Sequence, residues 1–78
     1  MVKKDGERRS IGMFVRERRR AGRMTQTELA ELAGVGLRFV VELERDKPTL
    51  RLDRVNAVLR VFGMRVGVVP AEREEEPD

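Results

Sequence analysis

Residues 25–36, TQTELAELAGVG, contain the signals for a short helix and for the tight turn that ends it. Thr25 and Glu28 have the spacing of a capping box, in which each side chain accepts a hydrogen bond from the other residue's amide. The residues that follow favour a helix up to Gly34, which suits the left-handed turn at a helix end. The stretch therefore predicts one short helix with a marked start and a marked end.

The intervals after Gln26 are those of two short helices that cross at a steep angle. Small, turn-forming and apolar residues occupy the positions that such a crossing needs: Ala30, Gly34, Val35, Val40 and Leu43. The small side chain lets the helices approach, glycine permits the turn, and the apolar residues fill the angle between the helices. The third helix is predicted over residues 37–45, with an accessible outer face. A helix of this diameter fits the major groove of duplex DNA; a small helical bundle without a DNA-binding role is the alternative.

Two further helices are predicted on either side of this pair. The first begins at a cap on Ser10 and ends near Gly22, and the fourth ends at Gly63. Arg51 is a poor cap for the start of the fourth helix. The buried faces are predicted from apolar residues at intervals of three and four: Ile11, Phe14 and Val15 in the first helix, and Leu52, Val55, Leu59 and Phe62 in the fourth.

A short strand is predicted after the fourth helix, because residues 64–69 alternate with the two-residue period of a strand before Pro70. The six residues are Met64, Arg65, Val66, Gly67, Val68 and Val69. No second strand is predicted elsewhere in the chain, so the backbone groups of this strand need a partner from another chain. We therefore expect an all-α fold of four to five helices, with a C-terminal strand that pairs with its copy across a homodimer.

The composition limits the chemistry of the protein. Its 78 residues include neither cysteine nor histidine, which removes disulfides, thiolate and imidazole metal sites and histidine acid-base catalysis. We therefore expect no enzymatic activity, no metal and no cofactor. No apolar run approaches the roughly 18 residues of a membrane span, and the N-terminus lacks the apolar stretch of a secretory signal. We expect a cytoplasmic protein without a membrane partner.

Charge is distributed unevenly along the chain. Residues 1–69 carry 16 basic and 9 acidic side chains, a net charge of +7, whereas residues 70–78 carry a net charge of −4. A basic body suits a polyanionic partner. We expect residues 1–9 to be a flexible basic arm, residues 10–63 the folded domain, and residues 70–78 a disordered acidic tail.

Three segments carry a family resemblance: VRERR at 15–19, MTQTELAELAGV at 24–35 and FVVELERDKPT at 39–49. Together they resemble the phage-repressor type (Cro/C1, or XRE) of helix-turn-helix proteins. The narrower similarity, from about residue 11 to residue 69, is to the HipB-like antitoxin branch. Two positions depart from the family pattern: Gly22 lies one residue before the usual glycine, where Arg23 stands, and Gly36 replaces the usual Ser or Thr cap.

The resemblance implies a homodimer that binds an inverted-repeat operator in double-stranded DNA and represses its own operon. It also implies a Ser/Thr-kinase-like toxin as a frequent second partner, and a C-terminal strand that pairs across the dimer. A stand-alone transcriptional regulator without a toxin is one alternative. A protein-interaction module that adds its strand to a partner's sheet is another.

Candidate DNA-binding residues follow from this arrangement. Those predicted to contact base edges are Leu37, Arg38, Val41 and Glu42, because Arg binds guanine, apolar groups contact thymine methyls and Glu accepts from cytosine. Arg38 contacting a phosphate, Leu37 packing under the turn, and Glu42 pairing with Arg38 are the alternatives. Residues predicted to lie near phosphates are Arg16, Arg19, Gln26, Gly36, Arg45 and Lys47; a surface cap is the alternative for Gln26.

Overall fold

The computed structural model describes residues 9–71, which contain four helices and no strand. Helix α1 spans Ile11–Ala21, α2 spans Gln26–Ala33, α3 spans Leu37–Glu44 and α4 spans Leu52–Val61. The helical part of the predicted fold is therefore confirmed. None of these helices is long and apolar enough to cross a membrane. The predicted arm and acidic tail lie almost wholly outside the described residues.

The helix starts agree with the caps predicted from sequence. Ser10 Oγ accepts a hydrogen bond from the Met13 amide at 3.0 Å. The capping box of α2 is complete, with Thr25 Oγ1 accepting from the Glu28 amide at 3.0 Å and Glu28 Oε1 accepting from the Thr25 amide at 2.8 Å. The N-cap residues of α3 and α4 are Gly36 and Arg51, and neither makes a side-chain capping hydrogen bond. Packing, rather than capping, must hold those two starts in place.

All four helices end in the same kind of turn, with a residue in the left-handed conformation. The residues with positive φ are Arg23, Gly34, Asp46 and Gly63. In each turn the next residue's amide donates back to a carbonyl five residues earlier, as Lys47 does to Glu42 at 3.1 Å. Gly34 and Gly63 confirm the predicted stops. Gly22 does not take the left-handed position, because its φ is −88° and the turn is made by Arg23 one residue later.

The core lies where α2, α3 and α4 meet, with α1 packed against α3. Its buried apolar residues are Val15, Leu29, Ala30, Val40, Leu43, Val55, Val58 and Leu59. Ala30, Val40 and Leu43 confirm the predicted helix crossing. Ile11 and Leu52 were predicted to face the core but are 42% and 59% exposed, because each opens its helix, where the other helices do not cover it.

The segment after α4 runs over the surface. The Val66 amide donates to Asn56 Oδ1 at 2.8 Å, while Val68 and Val69 are exposed. An apolar groove of about 540 Å³ separates the segment from the start of α1, and its lining includes Ile11, Phe14, Leu59, Met64, Val66 and Val69. The predicted strand and its pairing across a dimer stay predictions.

Candidate nucleic-acid interface

The outer face of α3 is accessible, as the sequence predicted. Leu37 is 46% exposed and the Arg38 side chain is 89% exposed. Val41, one turn further along, is half-buried, and Gly36 lies exposed at the helix start. The structure thus places a large cation and an apolar side chain next to each other at the start of the helix, both open to a ligand.

Glu42 lies between two cations on this face. Its carboxylate is 3.4 Å from Arg38 Nε and 3.4 Å from Lys47 Nζ, and its side chain is 28% exposed. The ion pair between Arg38 and Glu42, which was the alternative to a cytosine contact, is therefore present. Contacts of this length between exposed groups are weak, so DNA can replace them at little cost.

A polar cleft of about 300 Å³ lies beside this face, between α1, the start of α2 and the end of α3. Its lining includes two arginines of α1, one arginine that follows α3, an amide and a carboxylate: Arg16, Arg20, Arg45, Gln26 and Glu44. Arg16, Arg20 and Arg45 are exposed. Guanidinium groups suit anions with several oxygen atoms, so this cleft is where phosphate contacts are expected, and those contacts stay a prediction.

Arg19 also lines the cleft, but its position differs from the expected one. Its Nε donates to Glu44 Oε2 at 2.7 Å, its Nη2 to Glu44 Oε1 at 3.0 Å and its Nη1 to the Met24 carbonyl at 2.9 Å. The two side chains are only 11% and 4% exposed. Arg19 is therefore committed to a buried ion pair at the base of the cleft, and we remove it from the residues expected to bind phosphate directly.

Glu44 is the organising residue that the sequence did not single out. Besides its two bonds from Arg19, its Oε1 accepts from Gln26 Nε2 at 3.1 Å. The hydrogen bond to Glu44 raises the pKa of Arg19 above its ordinary value, against the opposing effect of burial. The positive charge of Arg19 balances the negative charge of Glu44. The exposed arginines therefore determine the net charge of the cleft.

Two residues of the cleft were missed by sequence reasoning, and a signal existed for both. Arg20 follows Arg16 by four residues, which places the two side chains on one side of α1. Glu44 follows Val40 by four residues, and this interval assigns it to the inner side of α3. The interval predicts the burial of Glu44, whereas its partner Arg19 lies 25 residues away in the chain.

The crossing of α2 and α3 around a glycine turn, with an exposed outer face on α3 and a cationic cleft beside it, defines a helix-turn-helix protein. A family model described as helix-turn-helix matches residues 15–68. The chain belongs to this family, which confirms the broad resemblance noted in the sequence.

The chain is also similar to a protein of Sinorhizobium fredii (strain NBRC 101917 / NGR234) described as an uncharacterized HTH-type transcriptional regulator, y4mF. The two are 44% identical over 66 residues, which cover 83% of this chain and 87% of the relative. The shared region therefore includes most of both proteins. The narrower HipB-like assignment stays a prediction.

Proposed function

We propose that this protein is a transcriptional regulator that binds duplex DNA with α3 in the major groove. The observation that carries the proposal is the position of exposed Leu37 and Arg38 at the start of α3, next to the cleft that contains Arg16, Arg20 and Arg45. The relative described as an HTH-type transcriptional regulator supports it.

In this proposal the outer face of α3 contacts bases, and the cleft beside it contacts the DNA backbone. Arg38 leaves its weak pair with Glu42 and donates two hydrogen bonds to a guanine edge, while Leu37 and Val41 contact thymine methyls. Glu42 accepts from cytosine or orients Arg38. The cleft holds a backbone phosphate, with Gln26 at the start of α2 and the amides near Gly36 as further donors. Lys47 contacts the backbone beyond the end of α3.

We further propose that two copies bind together. The segment 64–69, which is exposed except at Val66, and the apolar groove beside it are the surface that a second copy covers, with the two segments paired as strands. Two α3 helices about one turn of DNA apart, roughly 34 Å, then require an inverted-repeat site. Binding of such a site in the protein's own upstream region makes it a repressor of its own operon.

A footprint and a paired set of variants test this function. The full chain is titrated onto a duplex of its own upstream region, and the double variant Leu37→Ala with Arg38→Ala is compared with Leu32→Ala with Arg60→Ala. Both doubles remove one exposed leucine and one exposed arginine, but only the first lies on the outer face of α3. We expect the first to lose about 10- to 100-fold in affinity, since a bidentate base contact contributes about 1–3 kcal/mol, and the second to bind normally.

The proposal fails if the footprint lacks two-fold symmetry, or if both doubles bind as tightly as the natural chain. A protein-interaction role is then favoured, in which exposed residues 64–69 add to the sheet of a partner. Size-exclusion chromatography of the Val68→Asp variant tests the dimer separately. A charge on this surface is expected to give a monomer, because a buried charge without a partner is costly.

The ELERDKPT run at 42–49 and the segment after α4 support a finer proposal, that the protein is the antitoxin of a toxin–antitoxin pair with a kinase-like toxin. Co-expression with the product of the adjoining gene tests it. A stable complex with a kinase-like protein supports an antitoxin, whereas normal operator binding with no such neighbour identifies a stand-alone regulator.

A further inference from the structure

Asp46 makes the turn that ends α3, in a conformation that residues other than glycine rarely adopt. Its φ is +61°, and its amide donates to the Leu43 carbonyl at 3.0 Å. Two of the four equivalent turns in the described chain use glycine at this position. An aspartate here has a tolerable backbone, but glycine would serve the turn alone better. The turn alone therefore does not explain the aspartate, and its side chain needs an explanation of its own.

The Asp46 carboxylate connects this turn to the start of α1. Its Oδ1 accepts from the Gly12 amide at 3.2 Å, and its Oδ2 accepts from Ser10 Oγ at 3.0 Å. A Cβ on Gly12 would lie 2.5 Å from Oδ1 and would also overlap the Leu43 carbonyl oxygen. The close approach of α1 to the end of α3 therefore depends on glycine at one position and on a short carboxylate at the other.

The connection matters because Asp46 stands between two proposed phosphate contacts, Arg45 and Lys47. An anion beside a DNA backbone weakens binding through repulsion. The carboxylate reduces this cost by accepting from the Gly12 amide in the first turn of α1, where the helix dipole favours negative charge. Its bonds also hold the main chain that carries Arg45 and Lys47 against α1, which supplies Arg16 to the same cleft.

We propose that Asp46 is a positioning residue for DNA binding, which fixes the 45–47 turn against α1 so that cations from both elements meet the same DNA backbone. This inference rests on the proposed function. It predicts that loss of the carboxylate bonds reduces the number of phosphates contacted, and not only the stability of the fold.

The test compares Asp46→Gly with Asp46→Asn. Both changes remove one negative charge, so their direct electrostatic effects on DNA are equal. Glycine suits the left-handed turn but makes no side-chain bonds. Asparagine tolerates the turn, keeps an oxygen that accepts from Gly12, and replaces the other oxygen with an amide group that can donate to Ser10 Oγ. The dissociation constant of the full chain is measured for a 30-base-pair duplex of mixed sequence at a series of salt concentrations, because phosphate contacts require no particular sequence.

Each lost phosphate contact is expected to reduce the slope of log affinity against log salt by about 0.9. We expect Asp46→Gly to lose one to two such contacts and Asp46→Asn to keep the natural slope. In the glycine background, Lys47→Ala should then reduce the slope by less than it does in the asparagine background. A residue that only stabilised the fold would change the melting temperature and leave the slope unaltered.

Equal slopes for the glycine, asparagine and natural proteins overturn the inference. If Asp46→Gly does not fold, Ser10→Ala breaks one of the two carboxylate bonds and is expected to reduce the slope in the same direction; an unchanged slope overturns the inference equally. A natural chain that binds no duplex at low salt instead contradicts the proposed function, so the two failures are distinguishable.

Discussion

Glu42 and Glu44 belong to the same helix and are separated by one residue, yet their surroundings are opposite. Glu44 is buried and accepts three hydrogen bonds of 2.7–3.1 Å from Arg19 and Gln26. Glu42 is partly exposed and has two cations at 3.4 Å. Two residues correspond to a rotation of about 200° around a helix, so one carboxylate faces the interior and the other faces solvent.

Two glutamates on the same helix therefore have different roles, which depend on burial and not on residue type. An exposed ion pair contributes about 0–1 kcal/mol and exchanges readily for other partners. A buried pair contributes little compared with apolar residues of the same size, but removal of one partner costs about 3–5 kcal/mol, because it leaves a buried charge without compensation. Glu44 therefore maintains the fold that holds Glu42 and Arg38 on the proposed DNA-binding face.

The largest expected effect tests this contrast directly. Glu44→Ala should lower the free energy of unfolding by about 3–5 kcal/mol, since it strands the Arg19 guanidinium. The matched variant Glu42→Ala should change it by less than about 0.5 kcal/mol. Urea unfolding followed by circular dichroism measures both. The loss expected for Glu44→Ala approaches the whole free energy of unfolding of a small domain.

An apolar replacement of the pair serves as the control. Arg19→Met combined with Glu44→Leu removes both charges together, and we expect its stability to return to about that of the natural chain. A double variant as unstable as Glu44→Ala would contradict the assignment of the loss to an uncompensated charge. The cause would then be the altered packing of α3.

A smaller effect concerns DNA. Glu42→Gln removes one negative charge from the face of α3 proposed to enter the major groove, between the two phosphate backbones. A charge interaction at close range is worth about 1 kcal/mol in water. We expect about fivefold tighter binding to mixed-sequence duplex at low salt, with an unaltered unfolding free energy. Fluorescence anisotropy with a labelled duplex measures it. Unchanged or weaker binding would show that Glu42 does not lie near the DNA backbone.

The smallest expected effect concerns the start of α3, and it tests whether a better cap stabilises the helix independently of Glu42 and Glu44. Gly36 has an extended conformation with open space around its Cα, so Gly36→Ser can add the missing cap without strain. We expect a gain of a few tenths of a kcal/mol, roughly the difference between serine and glycine at this position. Thermal unfolding of Gly36→Ser in the natural chain, in Glu42→Ala and in the double variant Arg19→Met with Glu44→Leu should show the same gain each time. A gain that varied would contradict independent contributions.

Local signals predicted the helices well, because the Ser10 cap, the capping box at Thr25 and the left-handed turn at Gly34 are short-range features. The predicted crossing also held, since Ala30 and Val40 follow directly from helical spacing. Long-range pairing was not predictable in the same way. Arg19 was assigned to phosphate because an arginine on a basic helix resembles any other until its distant partner is known.

The other differences between the sequence predictions and the structure also have physical causes. Arg23 takes the left-handed position, which glycine would occupy at no steric cost, because the hydrogen-bond pattern of the turn fixes which residue makes it. Ile11 and Leu52 are apolar without being core residues, and both line surface depressions beside the segment after α4. Helical periodicity identifies an apolar face, but it does not identify what covers that face.

The cleft beside α3 has one further consequence, which concerns the conditions that can regulate it. Its cations are all arginines, its amide does not titrate, and its carboxylate is paired with Arg19. The chain has no histidine, the side chain whose charge ordinarily changes between about pH 5 and 8. The cleft therefore lacks the side chain that most often makes binding depend on pH, while its proposed attraction for a polyanion falls as counterions accumulate. Ionic strength, rather than acidity, is the condition expected to regulate binding at this cleft.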